Sequence, residues 1–272
     1  RGADASIEAR DLTRVSATGG TARLSFKDGG QAASVTTSGG SAYLSAEPGK
    51  GIGVSTDPSL GPVDIVAGAG AVAIDSRGAD TIHLGSGPAT VTLRGSGSET
   101  WAGSGPLVMH GWDPAGGNFT LHGGDGSIML DQGRSTMRFI GGAGAATLTG
   151  GKMDIIAGSG DLVVGGAQVR SFQGGTGRAE LFLNNEGSNI TFGGGTTVVH
   201  ATGSWAANVF ELGNSKGGVG IIDNFRPGTD RAILGGAAIA TQEVRGGSAH
   251  VVLTNGVDVT FRGVTDLGRL FG

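Results

Sequence analysis

Short apolar segments alternate with glycine-rich corners along most of this chain. Between Pro62 and His110 a segment of alternating apolar residues ends in such a corner every eight to ten residues. Spacing this short leaves room for one strand and one tight turn, but not for a helix. The last apolar residues of successive segments, which we expect to fill the core, are Val66, Ile74, Leu84, Leu93, Trp101 and Met109.

Pairs of the form Gly-x-Gly occupy the corners, as at Gly85 and Gly87 or Gly103 and Gly105. Glycine suits a corner because tight turns need unusual backbone angles and because stacked turns bring backbones close together. A strand of a few residues buries little surface, whereas repeats stacked on one another form a continuous core. The pattern therefore predicts an all-β fold of the parallel β-solenoid type.

The spacing resembles the nonapeptide repeats of the RTX (repeats-in-toxin) family, also called hemolysin-type calcium-binding repeats. Their consensus is GGxGxDxUx, with U a large apolar residue, and the nearest copy here is Gly78-Ala79-Asp80-Thr81-Ile82. Other corners keep the glycines and lack the aspartate. The resemblance implies a right-handed parallel β-roll (β-helix) with two short strands per turn and Ca²⁺ in the corners.

The aspartate position of the repeat lies two residues before the large apolar residue U, and it alternates between acidic and other residues. It holds Asp64, Val72, Asp80, Ala89, Glu99 and Leu107 in turn. If consecutive segments form opposite edges of the roll, Asp64, Asp80 and Glu99 stack on one edge, where carboxylates of adjacent turns suit Ca²⁺. The alternative is that these residues are solvated corner acids. After residue 110 the position is acidic only at Asp154, so we expect few calcium sites.

From about residue 206 the sequence resembles the C-terminal portion of RTX exoproteins. The matching features are Ile222-Asp223-Asn224-Phe225 and Pro227-Gly228-Thr229-Asp230. The resemblance places Asp223 and Asp230 beside the last calcium sites, although aspartates often cap local turns instead. It also implies type I secretion to the exterior or cell surface of a Gram-negative bacterium.

Two regions are predicted from this organisation. Residues 1–205 form a glycine-rich β-solenoid with a break near 110–118, and residues 206–272 form an RTX-like C-terminal cap and secretion region. A hairpin inside the cap turns at Thr254-Asn255-Gly256, where Asn-Gly is a strong two-residue turn signal.

The break near residue 110 contains the residues that most suggest a ligand surface. His110, Trp112, Asp113 and His122 could come together on one flank and supply acid–base or aromatic groups. The alternative is an ordinary loop whose tryptophan covers the core. The Gly213–Gly217 stretch matches GxSxG, but a nucleophile elbow requires a following helix that this region does not predict.

Composition narrows the choice of function. A net charge of −4 gives no electrostatic case for nucleic acid, and the absence of cysteine excludes disulfides and zinc–thiolate sites. No apolar run is long enough to span a membrane as a helix. We favour a secreted structural or adhesive protein of the cell surface or extracellular matrix, which binds its own copies or a surface glycan. The alternative is a module that binds or modifies polysaccharide; an enzyme is the less favoured hypothesis.

Overall fold

The fold is seen in a computed structural model of the chain. It describes the backbone of six strands between residues 5 and 56, with side chains from residue 53 in the last of them. It also describes residues 62–112, 116–184, 186–202 and 205–271, except for the side chain of Val63. Asp113, one of the predicted ligand-surface residues, lies outside this range.

Residues 1–138 and 139–272 form two compact units, each built almost wholly from short strands. Strands of the first unit are β1 (Ala5–Ala9), β2 (Arg14–Thr18), β3 (Thr21–Phe26), β4 (Ala33–Ser38), β5 (Gly40–Ala46), β6 (Gly51–Thr56), β7 (Val63–Ala67), β8 (Ala71–Ser76), β9 (Thr81–His83), β10 (Ala89–Leu93), β11 (Glu99–Trp101), β12 (Leu107–Gly111), β13 (Asn118–His122) and β14 (Ile128–Asp131).

The second unit contains a similar series. After β15 (Thr136–Ile140), which spans the boundary, its strands are β16 (Ala146–Thr149), β17 (Lys152–Ile156), β18 (Leu162–Gly165), β19 (Gln168–Gln173), β20 (Arg178–Phe182), β21 (Asn189–Thr191), β22 (Thr196–His200), β23 (Val209–Glu211), β24 (Val219–Asp223), β25 (Arg231–Ile233), β26 (Ile239–Arg245), β27 (Ser248–Leu253) and β28 (Asp258–Arg262). A 3-10 helix covers Leu267–Arg269. Within the described residues, no helix has both the length and the apolar character needed to cross a membrane.

Alternate strands pair in parallel, so each turn of chain contributes one strand to each of two sheets. In the first unit β7, β9, β11 and β13 are successive neighbours in one sheet, and β8, β10, β12 and β14 in the other. The second unit repeats the arrangement, for example with β16, β18, β20 and β22 in one sheet. The predicted all-β parallel solenoid, with consecutive segments on opposite sides, is confirmed.

The predicted core positions are correct on one sheet and shifted on the other. Ile74, Leu93 and Met109 are at most 3% exposed on the even-numbered strands. On the odd-numbered strands the buried row is instead Ile65, Ile82 and Thr100, each 0% exposed. Val66 and Trp101 therefore point outward, which corrects the expectation that they fill the core. The cause is the period of two along a strand, because a shift of one residue moves a side chain to the opposite face.

The glycine corners stack directly on one another. A Cβ atom on Gly103 would overlap the carbonyl oxygen of Gly85, and one on Gly105 would overlap that of Gly87. The corners thus require glycine because the backbones of successive turns approach closely. This contact fixes the spacing of the turns at their edges, where no side chain lies between them.

The end of the chain extends the even-numbered sheet of the second unit by three strands. Parallel pairing continues through β24 and β28, after which β27 and β26 add antiparallel strands. The turn predicted at Thr254-Asn255-Gly256 is confirmed, since it joins β27 to β28. The Asn255 side-chain amide donates to the carbonyl oxygens of Leu212, Gly213 and Ser215, at 3.3, 3.2 and 2.8 Å. This amide ties the cap to the neighbouring corner.

Candidate functional site

The outer face of the odd-numbered sheet in the first unit carries two aligned rows of side chains. Register across β7, β9, β11 and β13 aligns Asp64, Thr81, Glu99 and Thr120 in one row, and Val66, His83, Trp101 and His122 in the next. The two rows lie on the same face because their members are two residues apart along each strand. We refer to this surface as the ladder face.

Trp101 is the centre of the ladder face. Its indole stacks on the imidazole of His83, with ring centroids 4.5 Å apart, and on that of His122, with centroids 4.7 Å apart. The three rings are nearly parallel, at interplanar angles of 15° and 3°. Because both faces of the indole are covered, a sugar ring cannot stack on Trp101 in this arrangement.

A carboxylate joins the stack at one end. Glu99 Oε1 lies 2.7 Å from His122 Nε2, which joins neighbouring strands β11 and β13 by a hydrogen bond. His83 and His122 occupy opposite faces of the indole and cannot ligate one metal ion together. Asp64 and Glu99 are separated by β9, a Cα distance of about 10 Å at the usual strand spacing. In the described part of the chain no three histidine or acidic side chains are grouped to hold a metal.

Asp80 does not join the row that contains Asp64 and Glu99. It lies one residue before β9, is 1% exposed, and points into the corner rather than outward. Its Oδ2 accepts hydrogen bonds from the Thr56 and Ser76 hydroxyls, both at 2.7 Å. The Ser98 hydroxyl completes the cluster, 3.2 Å from that of Ser76. The Thr56 and Ser76 hydroxyls therefore donate to the carboxylate, which acts as a hydrogen-bond acceptor inside the corner.

The predicted ligand surface near residue 110 is divided between two sheets. His110 lies on β12 and faces outward between Thr92 and Asp131, whereas His122 lies on β13 in the ladder face. Trp112 follows β12 and is 66% exposed, so it does not cover the core. The structure therefore does not bring His110 and His122 onto one face.

A charged network crosses four strands of the second unit. His200 on β22 contacts Glu180 Oε1 of β20 through Nε2, at 3.0 Å, and Asp223 Oδ2 of β24 through Nδ1, at 2.8 Å. Arg262 of β28 lies 3.2 Å from the same aspartate, and the Phe182 ring stacks on the imidazole at 4.6 Å. The hydrogen bond from His200 holds the pKa of Glu180 below its usual value, against the opposing effect of burial. Asp223 is thus held by the His200 imidazole and the Arg262 guanidinium.

Asp230 is a buried structural acid. Its side chain is 0% exposed and accepts hydrogen bonds from Asn208 and from the guanidinium of Arg226, whose Nη2 lies 2.7 Å from Oδ1. This hydrogen bond raises the pKa of Arg226 above its usual value. Because its oxygens accept these hydrogen bonds, Asp230 stabilises the turn after β24.

The GxSxG stretch connects two strands rather than a strand and a helix. It lies between β23 and β24, and the Ser215 hydroxyl donates to the Gly217 carbonyl oxygen at 3.2 Å. The local structure needed for a nucleophile elbow is therefore not present at these residues.

Sequence reasoning missed the ring stack of His83, Trp101 and His122. The signal was present, because these aromatic residues recur at the interval of one full turn, two strands and two corners. Writing the chain in two-strand turns would have aligned them, whereas reading each segment separately assigned Trp101 to the core. The His200 network was missed for the same reason, since its members come from four separate turns.

No protein-family model, curated protein or solved structure matches this chain.

Proposed function

We propose that this protein is an exported structural or adhesive protein of a bacterial cell surface or extracellular matrix. The resemblance of its repeats and C-terminal segment to RTX exoproteins supports export by a type I system. In this proposal the β-roll is a rigid scaffold that needs few or no calcium ions, and its outward-facing side chains make the contacts with neighbouring copies or surface glycans.

The observation that carries the proposal is the surroundings of Asp80. This residue occupies the position of the calcium-binding aspartate in the best-preserved repeat, yet its carboxylate is held by hydroxyls of Thr56 and Ser76. Aliphatic side chains such as Val91, Leu107 and Leu121 fill the interior of the same unit. Apolar burial and ladder hydrogen bonds then supply the stability that calcium gives to a calcium-dependent roll.

The described side chains of the ladder face favour a structural role over an enzymatic one. On the ladder face the carboxylates of Asp64 and Glu99 lie on strands that are not neighbours, and Glu99 is bonded to His122. The stacked rings add cross-strand contacts rather than an open binding surface. These features suit a surface that must withstand mechanical or proteolytic stress outside the cell.

Chelation tests the metal-independent scaffold. The far-UV circular dichroism and melting temperature of the purified protein should be the same in EDTA and in millimolar Ca²⁺. Wholesale loss of β signal in EDTA would overturn this part of the proposal. Fractionation of the producing bacterium with a specific antibody tests the location, and recovery of the protein only from the cytosol would overturn export.

A polysaccharide-binding role is the second candidate, and one observation favours it. A shallow trough of about 280 Å³ crosses β6, β8 and β10, and small residues, among them Gly53, Ala73 and Thr90, line much of it. Exposed Trp112 lies in the same unit and presents its ring for stacking on a sugar. A glycan array probed with the native protein and with Trp112→Ala, with Trp205→Ala as the matched control, tests it. If the native protein binds a glycan and only Trp112→Ala abolishes that binding, the result supports this role. If the native protein binds no glycan, the result rules this role out.

A further inference from the structure

Strand β26 extends past the edge of the hydrophobic core. It is the outermost strand of its sheet and pairs only with β27 among the described residues. On β27, Ala249, Val251 and Leu253 are at most 2% exposed, whereas every residue of β26 after Ile239 is exposed. A strand with no buried side chain gains little from the hydrophobic effect and leaves one row of backbone groups unpaired.

The turn before β27 determines which backbone groups face that free edge. Gly246 and Gly247 have φ values of 58° and 74°, which are typical of a two-residue type I′ turn. Such a turn is closed by hydrogen bonds between the flanking residues, here Arg245 and Ser248. Because bonding alternates along an antiparallel strand, the N–H and C=O of Val244 point to the free edge.

The side chains around Val244 are self-complementary. Glu243 and Arg245 lie on one face of the sheet, beside their cross-strand partners His250 and Ser248. Val244 lies on the other face, with 45% of its surface exposed. A two-fold axis through Val244 would bring each Glu243 opposite the Arg245 of a second copy and the two valines together. Opposite charges directly across an antiparallel pair are stabilising, and like charges are destabilising.

We propose that β26 is a dimerisation strand, which pairs in antiparallel fashion with β26 of a second copy of this chain. Two backbone hydrogen bonds join the facing Val244 residues, and two Glu243–Arg245 ion pairs flank them. The register shift between Ile239 and Thr241 limits regular pairing to Thr241–Arg245, and the charges disfavour other edges and other registers. The contact is small, so association is weak and depends on concentration.

Weak pairing becomes effective where many copies are held close together, because linked contacts add as avidity. This use of the dimer in a surface layer rests on the proposed function. The dimer itself does not, and it is tested with purified protein in solution.

The main experiment reverses the charges of Glu243 and Arg245. Sedimentation velocity over a range of concentrations should show a monomer–dimer equilibrium for the native chain, weakened about tenfold or more by either Glu243→Arg or Arg245→Glu. The double variant should dimerise again, and an equimolar mixture of the two single variants should form a heterodimer. A native chain that remains monomeric throughout, or single variants that dimerise as well as the native chain, would overturn the proposal.

A cysteine variant tests the register. The chain has no cysteine, so Val244→Cys introduces a single thiol at the two-fold axis. Hydrogen-bonded partners in an antiparallel pair have Cα atoms about 5.5 Å apart, within the range that a disulfide spans. Mild oxidation should crosslink Val244→Cys much faster than Thr90→Cys, which exposes its thiol in the other unit. Equal rates would exclude this register. Dimerisation without surface location would contradict the proposed function only, and surface location without dimerisation would contradict only the β26 dimer.

Discussion

The indole of Trp101 lies parallel to the imidazole of His122, with an angle of 3° between their planes and 4.7 Å between their centroids. The two residues are 21 positions apart in the chain and directly opposite one another on adjacent parallel strands. In a parallel solenoid, equivalent positions of successive turns lie one strand spacing apart, so flat side chains there can stack.

We expect Trp101→Leu to destabilise the first unit by about 1–3 kcal/mol, because the substitution removes two stacking contacts. Urea denaturation followed by circular dichroism measures the change in the free energy of unfolding. Trp112→Leu is the control, since Trp112 is 66% exposed and makes no stacking contact in the described residues. Equal effects of the two substitutions would show that the stack does not stabilise the fold.

Asp80→Ala should cost about 2–4 kcal/mol, because it leaves the buried hydroxyls of Thr56 and Ser76 without their acceptor. Asp80→Asn retains an acceptor oxygen and should cost less. Thermal melts with and without Ca²⁺ measure both, with the exposed acid Asp125→Ala as control. If Ca²⁺ raised the melting temperature of the native chain but not that of Asp80→Asn, the result would contradict a hydrogen-bonding role for Asp80.

Gly103→Ala should disrupt the stacked corners, since the added methyl group would overlap the carbonyl oxygen of Gly85. The expected cost is about 1–3 kcal/mol or more, as for other overpacked sites. Gly165→Ala is the matched control, because an added Cβ there meets no atom within 4 Å. Thermal melts compare the two variants. A melting temperature of Gly103→Ala equal to that of Gly165→Ala would show that the turns can separate.

The lowered pKa of Glu180 predicts a pH-dependent contribution to stability. A carboxyl group whose folded pKa is lowered stabilises the fold at pH values above its unfolded pKa. That contribution is lost as the pH falls through the folded pKa. Glu180→Gln should therefore lower the melting temperature at pH 7, and its difference from the native protein should shrink as the pH falls through the lowered pKa of Glu180. Glu186→Gln, at an exposed position, is the control; a difference that is constant with pH would contradict the expected ionic contribution.

Much of the architecture could be predicted because the repeat is local. Glycine at each corner and a short apolar segment between corners specify strand, turn and stacking without reference to distant residues, and the Asn255-Gly256 turn is equally local. The direction in which each side chain points, inward or outward, could be predicted less well than the strands and turns. Thr100 is buried and Trp101 is not, which hydrophobicity alone would reverse. A three-residue strand such as β11 is too short for its alternation to show its phase.

The candidate site was harder to predict because its residues are brought together by register between turns. Asp80 and Glu99 occupy equivalent positions in the repeat, yet one points into a corner and the other lies on the ladder face. The partners of Asp80 come from before and after it in the chain, and only stacking of the turns places their hydroxyls around one carboxylate.

The sequence by itself indicated that this chain coils into a parallel β-solenoid, because its apolar segments recur at an interval too short for a helix and its glycine corners suit the close approach of stacked turns. Only the tertiary structure decided which side chains face outward and which of them meet. The physical reason is that alternation within a strand is reset at every corner. A difference of one residue there turns an acid from the surface to the interior and a tryptophan from the core to the ladder face.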